Sequence, residues 1–277
     1  MRTRFVLAAA AMLACNSLGA TDSRQSSGLD AFLKRKEVEQ ERRYQALAGL
    51  GRASNYASVL KCLEQAKLEW PSGPRGATAR QKAALATTFR HGMAGMILGT
   101  NTSYPRICSA SAQRINQAAA KWIRGTAGEA EYVRFADTVV IARAVGGGRD
   151  AGFSDGFRSS LHFVVDEPIK GSLRKGSRFA VRLVSGPDGK GGRVLISTSP
   201  TTKPGQLYLV YASRGMYELG VAEGRKALPA SDKTHPGHVP YGGILPVDAA
   251  SKQADRSGRA VSLDQVRHLA RAQRAEQ

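Results

Sequence analysis

The sequence is short of the features that define several large protein classes. Its 277 residues include only three cysteines, and the longest unbroken apolar run, Phe5 to Ala14, has ten residues. Three cysteines are too few for a disulfide-dense scaffold, and a run of ten is well below the roughly 18 residues that a spanning helix needs. The composition therefore excludes a disulfide-rich miniprotein and a multi-span membrane protein.

Enzyme motifs are lacking as well, since the chain has no phosphate-binding loop, no Cys-x-x-Cys and no Gly-x-Gly-x-x-Gly that opens a helix. Ser154 lies in a Gly-x-Ser-x-Gly string, but a nucleophile elbow needs a helix directly after it, and a strand is predicted there. Asp166 and Glu167 are strand neighbours that point to opposite faces, and Pro168 is predicted to end their strand. We predict a protein that is not an enzyme and needs no cofactor, with a hydrolase as the weakest alternative.

The N-terminus has the layout of an export signal. Two arginines precede the apolar run, and small and polar residues follow it. Residues 1–20 are therefore predicted to be a signal peptide, and 21–28 a linker, in a periplasmic or secreted protein without a transmembrane span. The alternative is a lipoprotein cut in which Cys15 becomes the acylated first residue and anchors the chain.

Acidic residues are few: the sequence has 22 of them and 41 basic residues, which gives a formal net charge of +19. The excess is spread over the chain, with 17 basic against 7 acidic residues at 21–128 and 22 against 15 from residue 129 onward. Outside the cytoplasm, such a surface attracts anionic lipids, lipopolysaccharide and cell-wall polymers. An anionic envelope surface is therefore one predicted partner, and nucleic acid is not expected.

Residues 29–125 have the pattern of a helical domain. Tyr56, Val59, Leu60 and Leu63 follow helical spacing, and further helices are predicted at 30–50, at 78–98 and after Ser109 or Ser111. From residue 131 the hydrophobic period becomes two, which predicts a small antiparallel barrel or sandwich. The predicted strands lie around 135–145, 161–165, 178–183, 194–197 and 207–211. A C-terminal helix is predicted at 261–275 with Ser262 as its N-cap.

Five segments follow one another in the C-terminal half, at residues 136–145, 161–165 with 169–171, 179–183, 205–212 and 243–247. In their order and spacing they resemble the netrin-like domain of tissue inhibitors of metalloproteinases and of bacterial exported proteins. The resemblance covers about Glu129 to Val247. It implies an α+β chain in which a five-stranded OB-like barrel with a C-terminal helix, at 129–277, follows the helical domain.

The resemblance also implies a function in binding proteins, proteases among them. Those inhibitors chelate the protease zinc through an N-terminal Cys-x-Cys, and no cysteine lies near Glu131, so that mechanism is not expected here. The favoured interpretation is a non-enzymatic exported module that binds an unidentified envelope or extracellular protein.

Two groups of side chains are candidates for ligand sites. His235 and His238 are weak metal candidates, because a useful site needs a third ligand such as Asp232, and the Pro-Gly between them favours a flexible loop. OB barrels also bind single strands through stacked aromatic rings, which here would come from Tyr208, Tyr211 and Tyr217. No metal ion or nucleic acid is predicted as a ligand.

Cys62 and Cys108 form an even pair, and an oxidising compartment would allow them to bond. Closing their 47-residue loop would stabilise the fold by about 4 kcal/mol in the chain-entropy account. We expect the mature protein, unfolded without reductant, to show no reactive thiol in a colorimetric titration. Two reactive thiols would contradict the disulfide.

Overall fold

The computed structural model describes residues 22–65, 76–100, 126–148, 157–187, 200–223 and 237–275, and isolated residues at 68, 70, 73, 117–118, 120–121 and 193–194. The chain divides near residue 127 into two compact units. The predicted signal peptide lies outside the described residues, as does nearly all of the helix predicted after Ser109 or Ser111. None of the described helices combines the length and the apolarity needed to cross a membrane.

The longest helices in the described part of the N-terminal unit are α1 (Asp22–Gly49), α2 (Ala53–Gln65) and α3 (Ala79–Thr100). Thr78 begins α3 with a reciprocal cap, in which Gln81 N donates to Thr78 Oγ1 (3.2 Å) and Thr78 N donates to Gln81 Oε1 (3.0 Å). The helices associate because their apolar positions face inward. One cluster joins Leu29 and Leu33 of α1 to Leu85 and Phe89 of α3.

A polar pair lies between α2 and α3. Tyr56 Oη is 2.7 Å from His91 Nδ1, and the Tyr44 ring of α1 lies 5.8 Å from the Tyr56 ring. Burial lowers the pKa of His91, and the positive charge of Arg90 lowers it further. Burial also raises the pKa of Tyr56 to about 12, against the opposing effect of Arg43. The packing therefore favours a neutral imidazole beside a neutral phenol.

The C-terminal unit is built on a closed five-stranded barrel. The chain forms β1 (Thr138–Gly148), β2 (Ser159–Lys170), β3 (Arg178–Leu183), a short ladder of β4 (Gly186–Pro187) and β5 (Arg193–Val194), then β6 (Leu207–Ser213) and β7 (Gly237–Asp248). The barrel order is β3-β2-β1-β6-β7, and β3 closes it by pairing in parallel with β7. This confirms the predicted α+β chain with an OB-like barrel.

Aromatic and β-branched side chains fill the barrel. Phe163 stacks on Phe179 with ring centroids 5.4 Å apart, and Tyr208 meets Phe163 edge-on at 6.2 Å. The buried interior comes from alternate positions of the strands, as the period of two predicts: Val140, Ala142, Ala144, Leu161, Val165, Val181, Leu183, Val210, Ala212 and Ile244 complete it. Side chains of the barrel itself therefore occupy its interior.

Short elements flank the barrel. They are α4 (Glu129–Phe135) before β1, α5 (Arg214–Glu223) between β6 and β7, a hairpin of β8 (Gln253–Arg256) and β9 (Arg259–Ser262), and the C-terminal helix α6 (Leu263–Ala275). Gln265 N donates to Ser262 Oγ (3.3 Å), which confirms the predicted cap of α6. Two predictions are corrected, because Phe135 ends a helix rather than beginning a strand and Val261 belongs to β9. The sequence analysis did not predict α5 or the β8–β9 hairpin.

The prediction that Pro168 ends its strand is also wrong, because β2 continues to Lys170. Pro168 pairs with Val140, and the β1–β2 register is irregular on both sides of that pair. On its other edge, β2 pairs with β3 only from Ser159 to Val164. A proline is tolerated there because the ladder is already interrupted.

The Tyr56–His91 pair predicts a pH-dependent stability of the helical unit. The unfolded chain takes up a proton at His91 near pH 6.5, whereas the lowered pKa keeps the folded imidazole neutral to lower pH. Stability should therefore fall as the pH drops below 6.5. Urea unfolding followed over this range should show a shallower fall for His91→Asn, and identical pH profiles would contradict the assignment.

Candidate functional site

The structure places His238 among the aromatic side chains of the barrel. It lies on β7, is 2% exposed and meets the Phe179 ring edge-on with centroids 5.4 Å apart. Its predicted companions His235 and Asp232 lie outside the described residues. Within the described ranges, no group of three His, Cys, Asp or Glu side chains is arranged to hold a metal ion. His238 thus contributes to the packing of the barrel.

Several other predicted residues lie outside the described parts of the chain, namely Cys15, Cys108 and Ser154. Cys62 is buried on α2, and its pairing with Cys108 stays a prediction. The two neighbouring carboxylates of β2 have separate partners, as their opposite directions predicted. Glu167 accepts two hydrogen bonds of 2.7 Å from Arg267 of α6, while Asp166 lies 3.8 Å from Arg143 of β1.

The three tyrosines considered for base stacking are buried. Tyr208, Tyr211 and Tyr217 are each at most 3% exposed. The Tyr208 ring lies in the barrel interior, and the Tyr217 ring packs against Phe157 with centroids 5.5 Å apart. The idea that these rings present a stacking platform is therefore wrong, because their faces are used in the core.

A serine and a histidine also meet on the outer side of β2. Ser160 Oγ is 2.7 Å from His162 Nε2, which is the distance of a nucleophile–base pair. Ser160 is only 1% exposed, so its oxygen is not open to a substrate. The two residues are two apart on one strand and therefore share a face. The contact is a hydrogen bond along the strand.

A buried charge pair joins α4 to the β8–β9 hairpin. Glu129 accepts from Arg256 Nε (2.7 Å) and Nη2 (2.9 Å), from Tyr211 Oη (2.7 Å) and, at 3.3 Å, from Arg259. The Arg256 guanidinium lies over the Tyr132 ring at 4.3 Å and the Tyr211 ring at 5.5 Å, and it also donates to Gly242 O. Burial raises the pKa of Tyr211 well above its usual value, with Glu129 adding to the effect. The phenol therefore stays a donor.

A partly buried lysine links the end of β2 to two helices. Lys170 Nζ donates to Val133 O (2.7 Å) and Arg134 O (3.2 Å) in the last turn of α4, and to Gln273 Oε1 of α6 (3.1 Å). These bonds satisfy carbonyls that a helix end leaves unpaired. Burial lowers the pKa of Lys170 to about 8, although Asp137 opposes the shift. The ammonium is tied into the fold on several sides.

Asp137 lies between α4 and β1, and its carboxylate caps the N-terminus of α5. One carboxylate oxygen accepts from Arg214 N (2.9 Å), and the other from Ser213 Oγ (2.8 Å) and Gly215 N (2.9 Å). A carboxylate at this position satisfies amides that the first turn leaves unpaired. Glu129, Glu167, Lys170 and Asp137 are thus all engaged in holding flanking helices and a hairpin to the barrel.

The outer face of β1, β2 and β3 carries a different set of charges. In the strand register Arg143 lies beside Val164, and Val164 beside Arg178. The turn before β3 adds Arg174 and Lys175, and the turn before β6 adds Lys203; all five cations are exposed. We call Arg143, Arg174, Lys175, Arg178 and Lys203 the basic band.

Apolar surface accompanies the basic band. Val145, on the same face of β1 as Arg143, is 49% exposed, and Val164 is partly exposed between Arg143 and Arg178. The alternation in the sequence indicates which residues of these strands point outward. Only the strand register of the structure shows that Arg143 and Arg178 lie in one row.

Searches of protein-family models, of curated proteins and of solved structures find no significant match to this chain.

Because the Glu129–Arg256 pair is buried, loss of the Glu129 carboxylate should lower the free energy of unfolding more than loss of an exposed carboxylate. Glu129→Ala leaves Arg256 buried without its counter-charge and should lower the free energy of unfolding by about 3 kcal/mol or more. Asp264→Ala removes one of the two carboxylate partners of Arg267, the more exposed one, and should cost below about 1 kcal/mol. Urea unfolding of both variants measures the difference, and equal losses would show that the buried pair is not special.

Proposed function

We propose that this chain is an exported, non-enzymatic binding protein whose C-terminal unit is a netrin-like module for another protein of the envelope or the extracellular space. The observation that carries the proposal is the closed OB-like barrel with a filled apolar interior. A barrel of this kind recognises ligands on its outer strands and loops rather than inside. The resemblance of the five strand segments to netrin-like domains gives the expected class of ligand, a protein.

The use of the buried polar groups supports binding over catalysis. The Glu129 carboxylate is satisfied by arginine and tyrosine side chains, and the Lys170 ammonium by helix carbonyls and a glutamine. Groups satisfied in this way stabilise a scaffold, whereas a general acid or base must be able to exchange its proton with a substrate.

The second candidate is a protein that binds anionic envelope surfaces by charge. The exposed basic band favours it, since exposed cations attract lipid headgroups and acidic polymers. The two candidates differ in their dependence on salt. Binding that rests on exposed charges alone weakens steeply with ionic strength, whereas a packed protein interface retains an apolar component.

The test is to isolate the tagged mature protein from its own envelope after mild cross-linking, with washes at about 50 and about 300 mM salt. We expect a discrete protein that is retained at the higher salt concentration. Release of lipid, glycan or many unrelated proteins by salt would support the second candidate and contradict the first. The same tag on the helical unit alone serves as a control for capture that does not need the barrel.

A further inference from the structure

We propose that the basic band is the docking surface of the barrel, and that its partner is an acidic protein segment that also carries apolar side chains. The inference rests on the proposed binding function and adds the location of the interface and the chemistry of the partner. It follows from three properties of the described residues: the arrangement of the cations, the small opposing charge, and the exposed valines among them.

The cations form an ordered array because strands and turns position them. Arg143 and Arg178 are separated by one strand, which places their backbones roughly 10 Å apart. Arg143 Nη1 donates to Gly205 O (2.8 Å), so its side chain is held against the turn that carries Lys203. The turn with Arg174 and Lys175 is braced by Gly176 N to Val165 O (2.8 Å) and Ser177 N to Arg174 O (3.0 Å). Such preorganisation lowers the entropic cost of binding.

Little negative charge opposes the band. Asp166 lies 3.8 Å from Arg143, and both side chains are nearly half exposed. An exposed pair of this kind is weak and is readily exchanged for an incoming carboxylate. The other four cations take part in no ion pair among the described residues. The band therefore attracts carboxylates, and arginine binds them through two parallel hydrogen bonds.

The valines indicate a protein rather than a bare polyanion. Val145 and Val164 expose apolar surface on the same side as Arg143 and Arg178. Burying this surface requires apolar side chains from the partner, and a phosphate or sulfate polymer has none to offer. Alternating charged and apolar contacts are typical of a protein interface, where the charges guide association and the apolar contacts retain the complex.

The experiment measures binding of a fluorescein-labelled peptide rich in glutamate and valine to the full mature chain by fluorescence anisotropy. The test variant is Lys175→Glu/Arg178→Glu/Lys203→Glu. The matched control, Lys34→Glu/Lys61→Glu/Lys82→Glu, makes the same change of charge at exposed lysines of the helical unit. At about 50 mM salt the band variant should weaken binding on the order of ten-fold or more, and the control less than about three-fold.

Two further probes test the chemistry of the partner. The same peptide with glutamine in place of glutamate should bind weakly, and vesicles of phosphatidylcholine with phosphatidylglycerol should bind less well than the acidic peptide. Failure of the acidic peptide to bind, equal loss in both triple variants, or a preference for the vesicles would each overturn the inference. If the charge-reversed band variant does not fold by circular dichroism, the corresponding glutamine triple variant takes its place.

The band variant also separates this inference from the function on which it rests. In the cross-linking experiment, a discrete partner that the folded band variant still retains would overturn the docking surface and leave the binding function intact. The absence of any discrete partner of the wild-type protein would overturn the binding function itself. A partner that is lost from the band variant and kept by the control supports both.

Discussion

The C-terminal unit depends on one buried ion pair, between Glu129 and Arg256, which joins residues 127 positions apart. Desolvating two charges is costly, and hydrogen bonds and ring contacts from neighbouring residues offset that cost here. Tyr211 donates to the carboxylate, Gly242 O accepts from the guanidinium, and the rings of Tyr132 and Tyr211 cover its faces. The pair thereby holds the helix before the barrel and the hairpin after it against β6 and β7.

Other polar contacts also hold flanking elements to the barrel. Lys170 and Gln273 link α4 and α6 to the end of β2, and Glu167 binds α6 through Arg267. The Asp137 side chain accepts a hydrogen bond from the first backbone amide of α5. These contacts pair polar groups that are partly or fully buried, so they contribute to the specificity of the fold as well as to its stability. Apart from Arg143, the cations of the basic band form no ion pair among the described residues, and in the proposed complex they are the groups that meet the partner.

The sequence predicted those parts of the fold that have a strong local period. Alternation located four of the five barrel strands, β1, β2, β3 and β6, because the interior takes every second residue, whereas β7 was indicated only by the resemblance. The strand predicted at 194–197 overlaps β5, which pairs with β4 outside the barrel order. The spacing of Tyr56, Val59 and Leu63 located α2. The short helices α4 and α5 lack a long enough apolar stripe to compete with the neighbouring strand pattern. The contacts of Glu129 and Lys170 link distant segments, and no local pattern encodes them. The burial of the His238 and Tyr211 rings could not be predicted either, because it depends on how the barrel closes.

Net charge and charge placement have different origins in this protein. The positive excess is spread along the whole sequence, which gives the chain a general attraction for anionic partners without saying where they bind. The register of three adjacent strands then places Arg143 and Arg178 in one row, with Val164 between them. A one-residue shift of β3 against β2 would turn Arg178 toward the interior and Phe179 outward. The packing of Phe179 on Phe163 thus fixes the position of the charge, so the hydrophobic core determines which surface the barrel presents.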